Sequence, residues 1–80
     1  MKTTLEKIPS ATLVKIDNID GGKFVQKRLQ HIGIRNGDHV KIKRSSILGG
    51  PIVLTVNSGD VAIGRGLAKK IHVEIVDGEN

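Results

Sequence analysis

The side chains best equipped for chemistry in this sequence are three histidines, His31, His39 and His72. An imidazole can act as a general base or a metal ligand, but a closed structural metal site needs about four ligands at defined spacing. No H-x-x-H, H-x-x-x-H or H-E-x-x-H pairing occurs, and there is no cysteine. Thiolate metal sites, thiol nucleophiles and disulfides are thereby excluded together. His31 falls late in an expected helix, where an imidazole meets the C-terminal dipole. His39 and His72 fall on outward strand positions, where nothing beyond a weak adventitious metal site between adjacent strands is expected. Gly64-Arg65-Gly66-Leu67-Ala68-Lys69 lacks the third glycine of a dinucleotide loop. Gly49-Gly50-Pro51 lacks the lysine-serine sequel of a phosphate loop. Ser45 and Ser46 have no histidine near them in sequence, and Asp17 with Asp20, like Asp77 with Glu79, reads as loop carboxylates. A nucleophile, a base and an oxyanion site in mutual reach cannot be assembled from this set. The reading is of a non-enzyme with no catalytic residue, no cofactor and no dedicated metal site.

Binding chemistry is better represented. The formal charge of +5 and a pI near 9.9 favour an acidic partner, a nucleic acid or a membrane surface. Phe24 is the single aromatic and is expected to join a helix's apolar stripe, leaving no platform on which bases could stack. Nucleic acid is disfavoured on that ground. Lys41 and Lys43 should share one outer strand face with His39, beside Arg44. Immediately after them, Ile47 and Leu48 interrupt a loop of small residues. Left exposed, they would form an apolar anchor rimmed by Lys43 and Arg44, an arrangement suited to protein docking. Ile47, Leu48, Lys41, Lys43 and Arg44 are therefore the expected partner-binding residues.

These residues depend on a scaffold whose centre runs from Asp20 to Arg44. Val25, Leu29 and Ile32 recur at i, i+4 and i+7, with Phe24 widening the stripe, which predicts an amphipathic helix capped by Asp20. Gly33 stands where a left-handed C′ residue belongs, and Ile34 can then touch Leu29. Asn36-Gly37-Asp38 makes a turn, and His39 to Arg44 alternates polar with apolar as a strand does. Upstream, Leu5 and Ile8 plug the core from a lead-in or single helical turn ended by Pro9, and Ala11 to Asp17 forms the first strand. Downstream come strands at Ile52 to Val56, Val61 to Ile63 and Ile71 to Val76, with Leu67 anchoring a short turn between the last two. Five short strands and one true helix, inserted between the first two of them, describe a mainly β, strongly bent barrel. Eighty residues make one domain, 1–80, ending in a polar, frayed tail at 77–80. The N-terminus carries no secretory signal pattern, and no apolar run exceeds the three residues of Ile52-Val53-Leu54, far short of the roughly 18 a spanning helix needs.

The run KRLQHIGIRNGDHVKIKR, the loop ILGGPI and the segment VLTVNSGDVAIGRGLAKKIHV together resemble the ferrous iron transport protein A (FeoA) family. The most specific matches are Arg28-Leu29 with Ile32-Gly33-Ile34, then Leu48-Gly49-Gly50-Pro51-Ile52, then Ala62-Ile63-Gly64, and the similarity extends over residues 4–76. Ser10 departs from the family's usual glycine, and Arg35-Asn36 from its usual Thr-Pro. The resemblance implies an SH3-like barrel in the cytoplasm, acting as an accessory or regulator of ferrous iron uptake. Its implied partner is the cytosolic GTP-binding region of a FeoB-type transporter, met without membrane insertion. The same pattern also occurs as a C-terminal module of iron-dependent repressors; with nothing preceding it here, the freestanding form is expected. The alternatives are a basic SH3-like nucleic-acid-binding module and a repressor-type regulatory domain. An uncovered strand edge or the Ile47–Leu48 patch could also pair two copies weakly.

Overall fold

A computed structural model of the chain describes residues 2–45, 48–57 and 59–77. The elements in order are β1 (Lys2–Thr4), a single 3-10 turn (Leu5–Lys7), β2 (Leu13–Ile19), α1 (Gly22–His31), β3 (His39–Arg44), β4 (Ile52–Val56), β5 (Gly59–Ile63), a one-turn α2 (Arg65–Ala68) and β6 (Ile71–Asp77). The six strands form one antiparallel sheet in the order β1-β6-β2-β3-β4-β5, curled around its own inner face as an SH3-like barrel. That inner face supplies Val14, Ile16, Val40, Ile42, Ile52, Leu54, Ile63, Ile71 and Val73, all buried. Leu5 and Ile8 enter this core from the 3-10 turn, as their spacing predicts, and Leu29 and Ile34 enter it from α1 and its exit.

All five expected strands are present, and α1 lies between the first two of them. The sixth is β1, which pairs Thr3 with Val73; three residues carry too little periodicity to announce a strand whose only partner is at the far end of the chain. The first expected strand shifts to Leu13–Ile19. Ala11 has a φ of 66°, left-handed and therefore a turn conformation. In α2 the fully buried side chain is Ala68, while Leu67 is partly covered.

The exit of α1 follows the local chemistry of its sequence. Gly33 takes a φ of 92°, its N–H donates to the Gln30 carbonyl, and the Ile34 N–H donates to the Leu29 carbonyl. These are the paired bonds of a Schellman cap, closed by the Leu29–Ile34 apolar contact such a cap favours. The entrance differs from expectation. Gly21, with φ 104°, is the N-cap and no side chain caps the helix; Asp20 turns away to His72, Oδ2 to Nε2 2.7 Å. Gly21 is also sterically locked, because an added Cβ would lie 2.6 Å from Val25 Cγ2, whereas one at Gly22 (φ 72°) would meet nothing within 4 Å. Gly21→Ala should therefore cost about 2–3 kcal/mol and Gly22→Ala about 1 kcal/mol, the backbone strain alone. Urea denaturation of the two variants checks this, and equal losses would contradict it.

Phe24 does not join the buried stripe. Val25, Leu29 and Ile32 face the core, but Phe24 is 80% exposed. One residue is 100° of helical rotation, so Phe24 stands beyond the edge of a stripe whose centre lies between Val25 and Leu29. Its apolar character does not bring it inside.

Candidate functional site

The outer face of β3 and the loop that follows hold the residues singled out for docking. β3 buries Val40 and Ile42 and exposes His39, Lys41, Lys43 and Arg44. Strict alternation would turn Arg44 inward with Val40 and Ile42. It stays outside because the pairing with β4 slips between Ile42 and Arg44: Ile42 opposes Leu54, and Arg44 opposes Val53. Such a bulge bends the strand and re-aims the side chains that follow it. The barrel thereby gains a third outward cation at the end of β3, next to the loop.

Lys43 is not available in the way Lys41 is. Its Nζ lies 2.5 Å from Asp60 Oδ2, and Thr55 Oγ1 donates to Asp60 Oδ1 at 3.0 Å. These contacts fasten β3, β4 and β5 across their outer face. Lys41 and Arg44 form no salt bridge among the described residues. The Lys43 ammonium, followed by the Thr55 hydroxyl, holds the Asp60 carboxyl below its ordinary value of 3.8. Since the folded state favours the carboxylate, the contribution of this contact to stability is present above pH 3.8 and is lost as pH falls through the lower folded value. An NMR titration should place the Asp60 midpoint below 3.8, and Lys43→Met should move it up; a wild-type midpoint at or above 3.8 contradicts the contact.

The loop is fixed at its base. Ser45 N–H donates to Ser10 Oγ at 2.9 Å, so Ser10 ties the β1–β2 connection to the start of the loop after β3. Ile47 lies outside the described residues. Leu48 is 92% exposed, followed by Gly49 and Gly50 with φ of 101° and 86°. Two successive left-handed residues, where glycine is favoured, carry the chain back to β4 behind Leu48. The structure thus brings Lys41, Arg44 and Leu48 to one end of the barrel, with Lys43 tied to Asp60. Val76, half exposed near the end of β6, belongs to the same end, since β6 pairs there with Leu13.

The Arg35–Asp38 turn needs no proline. Its ring is closed by Asp38 N–H to the Arg35 carbonyl at 3.1 Å, and Asp38 Oδ2 accepts from Arg35 N–H at 3.0 Å. His39 and His72 do not stand on adjacent strands, because β2 separates β3 from β6; the adjacent-strand arrangement that a weak adventitious site between them would use is absent. Among the described residues no group of three or more His, Cys, Asp or Glu side chains could hold a metal ion. No helix among them is long and apolar enough to cross a membrane.

A family model for the FeoA domain matches residues 3–75. This chain belongs to the FeoA family. A Methanocaldococcus jannaschii protein named for Fe(2+) transport is 39% identical over 69 residues, 84% of this chain and 82% of the relative. The crystal structure of an iron uptake regulatory protein, FeoA, superposes with a TM-score of 0.84 at 28% identity, over 95% of this chain and 99% of that one. A manganese-dependent transcriptional repressor carries a similar fold, with a TM-score of 0.81 at 18% identity, over 94% of this chain but 37% of the repressor. That likeness concerns the barrel alone. Membership of the FeoA family also places the chain among non-enzymatic accessory proteins.

The exposed ring of Phe24 changes one sequence argument. Disfavouring nucleic acid on the absence of an exposed aromatic no longer holds as stated, although one ring offers a single stacking platform where strand binders use several. Nothing in the sequence marks this exposure except the helical angle between Phe24 and Leu29.

Proposed function

We propose that this FeoA-family chain is a cytoplasmic accessory of ferrous iron uptake that docks on the cytosolic GTP-binding part of a FeoB-type transporter. The observation that carries this reading is the juxtaposition, at one end of the barrel, of the outstanding Leu48 side chain with the cations Lys41 and Arg44. An apolar anchor beside charges that orient the encounter is the usual division of labour at a protein interface. Lys43, held by Asp60, stiffens the platform beneath them. Ile47 is retained as part of the anchor on sequence grounds.

Family membership and the Fe(2+) transport name of the relative support the process, and the docking end supplies a mechanism by contact rather than by catalysis. Titration of the full chain into the isolated GTP-binding part, with and without guanine nucleotide, tests it. Saturable binding that weakens with added salt is expected, because Lys41 and Arg44 are solvent-exposed charges. Absence of binding in both nucleotide states would overturn the proposal.

A further inference from the structure

The outer face of α1 is a second surface, at the opposite end of the barrel from Leu48. β2 leaves the Ser10–Ser45 junction and delivers the chain into α1, while antiparallel β3 runs back toward the loop. The two ends are separated by the length of β3, six residues or roughly 20 Å. On α1, Phe24, Lys27, Arg28 and His31 stand at i, i+3, i+4 and i+7, which puts them on one exposed stripe, and together they line a shallow depression. Lys23 flanks them. The helix contains no Asp or Glu, and none of its cations forms a salt bridge among the described residues.

We infer that this face rests on the surface of an anionic phospholipid bilayer. Charge complementarity selects an anionic occupant, and the sparse apolar content of the face selects among such occupants. The stripe carries one exposed aromatic ring and no other large exposed apolar side chain on that helix. A folded acidic protein would need a pocket matched to that one ring and about 800 Å² of surface around it. A headgroup layer opens around a ring without a preformed pocket and presents phosphates on every side of it. Aromatic side chains settle at this depth, and basic residues beside them gain from the negative surface potential. The contact is peripheral, spans nothing, and leaves the Leu48 end directed away from the membrane. It is independent of the docking reading, since it would hold for any partner at that other end.

Co-sedimentation of the full chain with phosphatidylcholine vesicles, and with vesicles that also contain phosphatidylglycerol, is the test. Recovery is expected with the anionic vesicles only, and should be lost at high salt. Phe24→Ala should lower the partition coefficient roughly ten-fold. Removing Lys27 and Arg28 together should lower it roughly twenty-five-fold, at about five-fold for each charge near the surface. Removing Lys41 and Arg44 deletes the same net charge from the other end and should change it less than about two-fold. Equal loss from the two charge pairs would reduce the effect to net charge and overturn the assignment. No recovery on anionic vesicles at low salt, or an unchanged Phe24→Ala variant, would also overturn it. Finally, if Phe24→Ala spared vesicle binding but abolished capture of the transporter's GTP-binding part, the occupant would be protein and the inference wrong.

Discussion

Leu29→Ala is expected to remove about 3–4 kcal/mol of stability, a large share of what a chain of this size possesses. Globular domains hold roughly 0.05–0.15 kcal/mol per residue, so a chain of 80 residues has on the order of 4–12 kcal/mol. Truncating a buried leucine costs about 2–5 kcal/mol, depending on how far the surroundings collapse into the cavity. Leu29 is 0% exposed, is the single fully buried side chain of α1, and supplies the carbonyl that accepts from Ile34 N–H in the helix cap. The substitution keeps that backbone carbonyl but removes the side chain that packs with Ile34 in the core, so the helix face and the apolar part of the cap are loosened together. Phe24→Ala, on the same helix and with a larger side chain deleted, should change stability by no more than about 0.5 kcal/mol because the ring is already in solvent. Urea denaturation of both variants measures the contrast. A Phe24→Ala loss as large as that of Leu29→Ala would mean that α1 is rotated from the orientation described.

Leu48→Asp is expected to lower affinity for the transporter's GTP-binding part by at least about a hundred-fold while leaving the fold unchanged. Burying a leucine side chain contributes about 1.5–3 kcal/mol, and placing a carboxylate in the vacated apolar contact adds a desolvation cost. At 92% exposure Leu48 contributes little to the barrel itself, so thermal unfolding should move by no more than about 4 °C, as for other surface substitutions. Unchanged affinity in a folded Leu48→Asp variant would remove the loop from the interface. Binding lost together with the native spectrum would instead show that Leu48 is structural.

What was legible in the sequence is what depends on neighbours along the chain. The Gly33 stop, the Leu29–Ile34 contact and the alternation of β3 are set within a few residues. The Leu5 and Ile8 plugs followed from size and spacing in the same way. What was missed is set by partners far away. Asp20 abandons its capping role for His72, 52 residues on, and Ser10 acquires a purpose only through Ser45, 35 residues on. β1 exists because β6 passes beside it. The bulge that turns Arg44 outward arises from the register of β3 against β4, which residue types alone do not specify. Phe24 illustrates a different limit: periodicity identifies an apolar stripe, but not on which side of its edge a neighbouring ring will stand.

The residues proposed for docking were legible as composition, and the fold distinguishes them by geometry. Lys41, Lys43 and Arg44 read as equivalent charges in sequence; in the fold Lys43 is held by Asp60, whereas Lys41 and Arg44 form no salt bridge among the described residues. Leu48 read equally well as a core residue or an anchor, and the left-handed glycines after it place it outside.

The most direct measurement is an NMR titration of the isotope-labelled chain with the unlabelled GTP-binding part of the transporter, following every backbone amide. Docking through the end of β3 and its loop predicts shift changes concentrated from Lys41 to Gly50, with Ser10 following through its bond to Ser45 and α1 unperturbed. Shifts confined to α1, or none at saturating partner, would contradict it.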